Sequence, residues 1–411
     1  MRRLLSCLLL APGMILLSVV SASAQTGSFK ILHSFTGGND GSYPVTPLAL
    51  DAVGNIYGMT GDGGSSSDCP YYVGCGTAFE MSQKNGHWAL VPIAEFSSLN
   101  GNLPDAVGPI VVDSNANIYW AFQAGGDPGC ECGSVAKLTR SGDTWSQTTL
   151  HAFLGGSADG QYPQSGLVED KAGNLYGATI YGGPNNNGIL YQLSPDAGST
   201  WTYNVIYEFT GTDGASPVGP LAIDQSGNLY GTTGYGGPFG DGTAFRLSPS
   251  TGSWTLTTIY NFVQEFGYSP QQEGIAIDSK GNLYGNTMSG GVYQLGTIYE
   301  LTPTIGYWNQ TILYTFTGEN DGWNPRGPLT LDPSGAIYGG AEIGGIHGEG
   351  TVYKLARGVS GKWNLRVLHS FGGGDGQYPI QGVTFDASGN LYGVTTEGGA
   401  NGTGNVFEIT Q

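Results

Sequence analysis

The chain has 411 residues, 32 acidic against 14 basic side chains, a formal net charge of −18 and 72 glycines. Such a charge repels polyanions, which excludes nucleic acid and anionic lipid surfaces as partners. An acidic, glycine-rich chain can be disordered, but the regular aromatic and aliphatic pattern described next excludes that.

Arg2 and Arg3 precede an apolar run from Leu4 to Val20, and Ala22-Ser23-Ala24 places small residues at a cleavage site. This is the pattern of a signal peptide over residues 1–24, leaving residues 25–411 as one secreted domain, extracellular or periplasmic. No later segment is long and apolar enough to span a bilayer as a helix. Next comes Ser28-Phe-Lys-Ile-Leu-His-Ser-Phe35, a strand-like segment that matches Leu368-His-Ser-Phe371 closely.

From there the phrase D-x-x-G-N-(L/I)-Y-G recurs, starting at Asp51, Asp113, Asp170, Asp224, Asp278, Asp332 and Asp386. The last four intervals are 54 residues each; Ala116 and Ala336 are the two departures. Each copy predicts four short strands. The first precedes the Asp, as in Pro220-Leu-Ala-Ile-Asp224. The second follows the D-x-x-G turn, as in Leu229-Tyr-Gly-Thr-Thr233, and ends at a Gly-Gly pair. The third reads G-T-x-(F/Y)-x-L, and the fourth opens with Trp and ends in Phe, as from Trp254 to Phe262. A repeat of this length with four strands per unit predicts an all-β fold, a seven-bladed β-propeller of four-stranded antiparallel blades. The seventh copy stops after its third strand, Asn405-Val-Phe-Glu-Ile-Thr410. The orphan strand 28–35 then supplies the missing fourth strand of the blade containing residues 386–410 and closes the ring.

The composite phrase D-G-x-x-P … D-x-x-G-N-L-Y-G-T-T-x-x-G-G … G-T-x-F-x-L-(S/T)-P resembles the tandem GloVer repeat of bacterial secreted and surface proteins. The likeness extends over residues 29–411 and implies a propeller-like architecture; it implies no particular activity.

The connections from fourth to first strand, and from second to third, share one face, where propellers usually bind ligands. D-G-x-x-P marks the first type of connection at Asp40, Asp159, Asp213, Asp321 and Asp375, with Asn100-Gly101 and Phe266-Gly267 as degenerate versions. These carboxylates are candidate rim ligands, and Ca²⁺ is the cation such oxygen donors would take. A tight turn, in which Asp bonds its own backbone, explains the motif equally. Aromatics near them, Tyr43, Tyr162, Trp323 and Tyr378, together with Trp120 where other copies have Gly, suit stacking on sugar rings or capture of a cationic group. His33, His151 and His369 share a register with Tyr207, Tyr260 and Tyr314, a position of packing or edge hydrogen bonding. Cys69, Cys75, Cys130 and Cys132 are disulfide candidates of open connectivity, because a single residue between Cys130 and Cys132 usually points their side chains apart.

No nucleophile–base motif or phosphate loop stands out. The expected function is a secreted, monomeric, non-enzymatic binding or interaction module whose ligand is a glycan or surface polymer. The alternatives are a carbohydrate-active enzyme, a polysaccharide lyase or glycosidase using rim carboxylates, and a structural surface repeat with protein partners.

Overall fold

The computed structural model describes residues 27–66, 69, 74–97, 108–196, 200–263 and 274–411. Residues 1–24, expected above to be a signal peptide, and the degenerate Asn100-Gly101 and Phe266-Gly267 pairs lie outside the described residues. The described chain is all strand and turn, in seven antiparallel sheets that form the blades of a seven-bladed propeller.

Blade four shows how the sequence builds one unit. Its first strand comes in two pieces, Ala215–Pro217 and Ala222–Ile223, both paired with the second strand, Leu229–Tyr235. Thr243–Ser250 and Ser253–Asn261 complete the sheet. Between first and second strands, Asp224 organises the turn with four accepted hydrogen bonds. Its Oδ1 takes the amides of Ser226 and Asn228 at 2.8 and 2.9 Å, and its Oδ2 takes Asn228 Nδ2 and the Tyr230 hydroxyl at 2.7 and 3.1 Å. The D-x-x-G-N-x-Y phrase is therefore one hydrogen-bonded unit. In blade six, where Ala336 replaces the Asn, the Ser334 hydroxyl donates to Asp332 instead.

First strands of successive blades touch one another and form the hub, while fourth strands form the outer edge and alternate exposed with half-buried residues. The apolar core is divided among the blade interfaces. Each cluster takes residues from two neighbours, as where Phe209 and Tyr176 of blade three meet Leu221 and Phe245 of blade four. A single sheet cannot cover both its apolar faces, and stacking in a ring covers them all.

The ring closes as expected. Phe29–Ser34 runs antiparallel to Asn405–Ile409, with Phe29 opposite Ile409 and Ser34 opposite Asn405. Phe35 is fully buried between blades seven and one, with Leu48, Phe79 and Val394. Outside the ladder, the Thr410 amide donates to the Ser28 carbonyl at 3.0 Å.

One expectation needs correction. D-G-x-x-P is more than a connecting loop, because its last residues already pair with the second strand. Ser42 lies opposite Asp62 and Pro44 opposite Thr60, and blade six runs from Trp323 to Leu331 without a break.

Candidate functional site

The loop-rich face is built from the D-G-x-x-P segments and the second-to-third connections. In all five described copies the residue before the proline has a positive φ of 55–60°: Tyr43, Tyr162, Ser216, Asn324 and Tyr378. That conformation is costly for any residue with a side chain, and here its gain is visible. Each of these amides donates to a carbonyl in the preceding blade: Tyr43 to Thr403, Tyr162 to Cys132, Ser216 to Asn187, Asn324 to Leu295 and Tyr378 to Glu349, at 2.8–3.1 Å. The following proline then rests on a glycine of that same preceding blade. A Cβ on Gly188 or Gly350 would press into Pro217 or Pro379, so the Gly of the third-strand G-T phrase is required by its neighbour. The motif clasps blade to blade.

Its aspartates serve the same clasp. Asp321 accepts the Tyr314 hydroxyl at 2.9 Å, the Thr317 amide at 2.8 Å and the Thr317 hydroxyl at 2.7 Å. Asp213 is held by Tyr207 and by both donors of Thr210. Where the fourth strand carries His in place of Tyr, the bond persists: His33 to Asp40 at 3.0 Å, His151 to Asp159 at 3.2 Å and His369 to Asp375 at 2.8 Å. Asp159 also takes the Tyr203 hydroxyl and the amides of Leu154 and Gly160. Burial pushes the Asp159 pKa up, but these hydrogen bonds outweigh it and hold the group below the usual carboxylate value. Donors surround these carboxylates where a cation would need further acceptors. Among the described residues, no three of His, Cys, Asp and Glu gather into a metal-holding group.

Trp120 is not on the rim. It is 1 % exposed and packs against Phe96 and Phe122 between blades one and two. The reason is a size exchange. In the other blades the second-strand Gly faces a third-strand aromatic, as Gly58 faces Phe79 and Gly231 faces Phe245. In blade two, Trp120 faces Ala136, so the bulk has moved from one strand to the next. The cysteines pair within their own loops, Cys69 with Cys75 and Cys130 with Cys132. The sequence left the connectivity open, and each of these pairs lies within a single second-to-third connection. Glu131 adopts a positive φ of 52°, which turns its two neighbours toward the same side.

Tyr43 and Trp323 are exposed on the loop face, whereas Tyr162 is half-buried against Tyr181 and Tyr378 is half-buried too. The sequence reading missed four further aromatics there. Tyr181, Tyr235, Phe239 and Tyr293 stand in or beside the second-to-third connections of blades three, four and five, and with Trp323 of blade six they are 37–63 % exposed. Consecutive blades thus carry aromatic rings on one face. The signal lay in the connections Tyr181-Gly-Gly, Tyr235-Gly-Gly-Pro-Phe239 and Val292-Tyr293, which vary between copies while the strands do not.

The opposite face, carrying the D-x-x-G turns, holds the clefts. They lie between neighbouring blades and measure about 430–480 Å³ between blades two and three, three and four, four and five, and five and six. The Trp that opens a fourth strand meets the second-strand Tyr of the preceding blade there, as Trp201 meets Tyr119 and Trp254 meets Tyr176. Among the described residues, arginine–glutamate ion pairs span two interfaces on this face, Arg140–Glu80 between blades one and two and Arg357–Glu300 between blades five and six.

With this architecture in view, residues 72–276 and 271–411 match the Gloeobacter/Verrucomicrobia repeat. The chain belongs to that family. It is also 26 % identical over 326 residues to a xyloglucanase of a Paenibacillus species, a match covering 70 % of this chain and 29 % of the relative, so less than a third of that enzyme's length is represented. A Lactobacillus plantarum protein of known structure superposes with a TM-score of 0.50 at 15 % identity, over 79 % of this chain and 83 % of that one. A putative 6-phosphogluconolactonase from Bacteroides uniformis gives 0.49 at 13 %, over 77 % and 84 %. Likenesses at that level of identity concern the fold alone.

Proposed function

We propose that this protein is a secreted, non-enzymatic glycan-binding module that lays the aromatic rings of its loop-rich face on sugar rings of a polysaccharide. The observation that carries this reading is the run of exposed rings over consecutive blades, Tyr181, Tyr235, Phe239, Tyr293 and Trp323. Exposed aromatic surface on an otherwise polar face marks interaction sites, and amphipathic rings suit the apolar faces of sugars with their polar edges. The clasp aspartates support binding over hydrolysis. Each is engaged by several donors, which suits neither a general acid nor a nucleophile. The two disulfides fit an oxidising compartment.

A glycan array tests the reading, with wild-type protein against a Tyr235→Ser/Phe239→Ser/Trp323→Ser variant. Binding that the triple variant loses, while its melting curve is unchanged, is the expected result. Binding that survives in the triple variant removes the aromatic face from the proposal. The likeness to a xyloglucanase favours a carbohydrate-active enzyme as the second reading. Incubating xyloglucan and other array hits with the protein, followed by chromatography for released oligosaccharides, separates the two.

A further inference from the structure

We propose that the cleft between blades two and three, on the D-x-x-G face, is a second saccharide subsite, with Trp201 as the ring platform and Lys137 and Glu169 as partners for the hydroxyls of a neutral oligosaccharide. This inference rests on the glycan reading above and places one binding site on the face opposite the aromatic run. The cleft has a volume of about 480 Å³ and is lined by both blades, within the roughly 300–1,000 Å³ of small-ligand sites.

Three residues meet here, of which Glu169 departs from the repeat, whereas Lys137 recurs as Lys354 of blade six and Trp201 is the Trp that opens most fourth strands. Glu169 is the first. The residue before the turn aspartate is Leu50, Val112, Ile223, Ile277, Leu331 or Phe385 in the other six blades. Only blade three places a carboxyl there, half-buried beside Asp113 and Asp170. Burial raises its pKa first, and repulsion from those two aspartates raises it further. The scaffold has six solutions without this charge, so folding does not explain it. Lys137 is the second. Its ammonium lies 5.3 Å from the centre of the Tyr119 ring, and it enters none of the ion pairs found among the described residues. At two other interfaces an arginine reaches across to a glutamate. Blade three has Pro195 at that register, so nothing of the kind crosses here. Trp201 is the third element: it packs edge-on against Tyr119 at 5.7 Å and lines the cleft while half-buried.

The ligand class follows from the mixture. A ring platform with a donor at Lys137 and a carboxyl at Glu169 matches a molecule whose hydroxyls both donate and accept. Asp113, Glu169 and Asp196 together would repel an anionic sugar, and Lys137 disfavours a cationic one.

The test uses residues that the repeat already tolerates. Glu169→Leu copies Leu50 and Leu331, and Lys137→Gln copies Gln192. An array of neutral oligosaccharides (β-glucans, mannans and xylans) is probed with wild-type protein. It is probed again with the loop-face triple variant, and with that variant carrying E169L and K137Q, all checked for unchanged melting. Retained binding in the triple variant that weakens about tenfold or more on adding E169L and K137Q supports the subsite. Binding lost entirely in the triple variant overturns the subsite and leaves the glycan reading standing, as does retained binding that E169L and K137Q leave unchanged. Wild-type protein that binds none of these sugars overturns both.

Discussion

The turn aspartates show how much of this fold is carried by single side chains. Burial alone would raise the pKa of Asp170, Asp224, Asp278 and Asp386, but donors from Asn, backbone amides and Tyr outweigh it and hold each below the ordinary value. A carboxyl whose folded pKa is depressed leaves the unfolded chain binding more protons in acid. Its contribution is therefore complete above about pH 4 and is lost as the pH falls through the folded value. Asp224→Asn is expected to cost about 1 kcal/mol at pH 7, and the gap to wild type should close by pH 2; denaturant titrations across that range measure it. His369 behaves in the opposite chemical sense but with the same sign. Burial lowers its pKa against the pull of Asp375, and His347 adds to the lowering. The unfolded chain takes up this proton first, so stability is full above the unfolded value of about 6.5 and declines below it. His369→Tyr, the residue of three sister blades, should remove the part of the melting-temperature drop between pH 7 and 5 that belongs to this site.

Strand pairs and clasps were only partly legible. The period, the turn phrase and the four-strand unit could be read because backbone alternation and turn chemistry act locally. The partnership between D-G-x-x-P and the fourth strand could not be read from either motif alone. Its trace was nevertheless present in both columns. Five blade junctions have Asp with His or Tyr, whereas Ala94 precedes the junction where Asn100 replaces the Asp, and Tyr260 precedes the one with Phe266. Tyr260 donates instead to Gln310 of the next blade at 2.6 Å. Trp120 was misread for the same reason: its compensating Ala136 lies on another strand. Trp120→Gly is expected to destabilise the protein by about 3–5 kcal/mol through the cavity it leaves. Adding Ala136→Phe restores the pattern of the other blades and should recover a large part of that loss, which a double-mutant cycle of chemical unfolding would measure. Full additivity of the two changes would refute the exchange.

For the whole molecule, the seam was the most predictable feature, because strand bookkeeping at the two ends admits one solution. Removing residues 28–35 leaves Asn405–Ile409 as a bare edge and strips Phe35 from the interface of blades seven and one. The burial of Phe35 alone is worth about 3–5 kcal/mol, so the deletion should lower the melting temperature by many degrees in calorimetry. The location of clefts and exposed rings was the least predictable. It depends on which side chains the ring leaves uncovered, and no single repeat contains that information. The closing strand has one further consequence. Because it belongs to a blade begun elsewhere in the chain, only that blade is split between distant segments, while each of the other six is one contiguous stretch of about one sequence period. Duplication or loss of one whole period within the chain would add or remove a blade's worth of strands and leave the seam between Phe29 and Ile409 untouched, so blade number and ring closure can evolve independently.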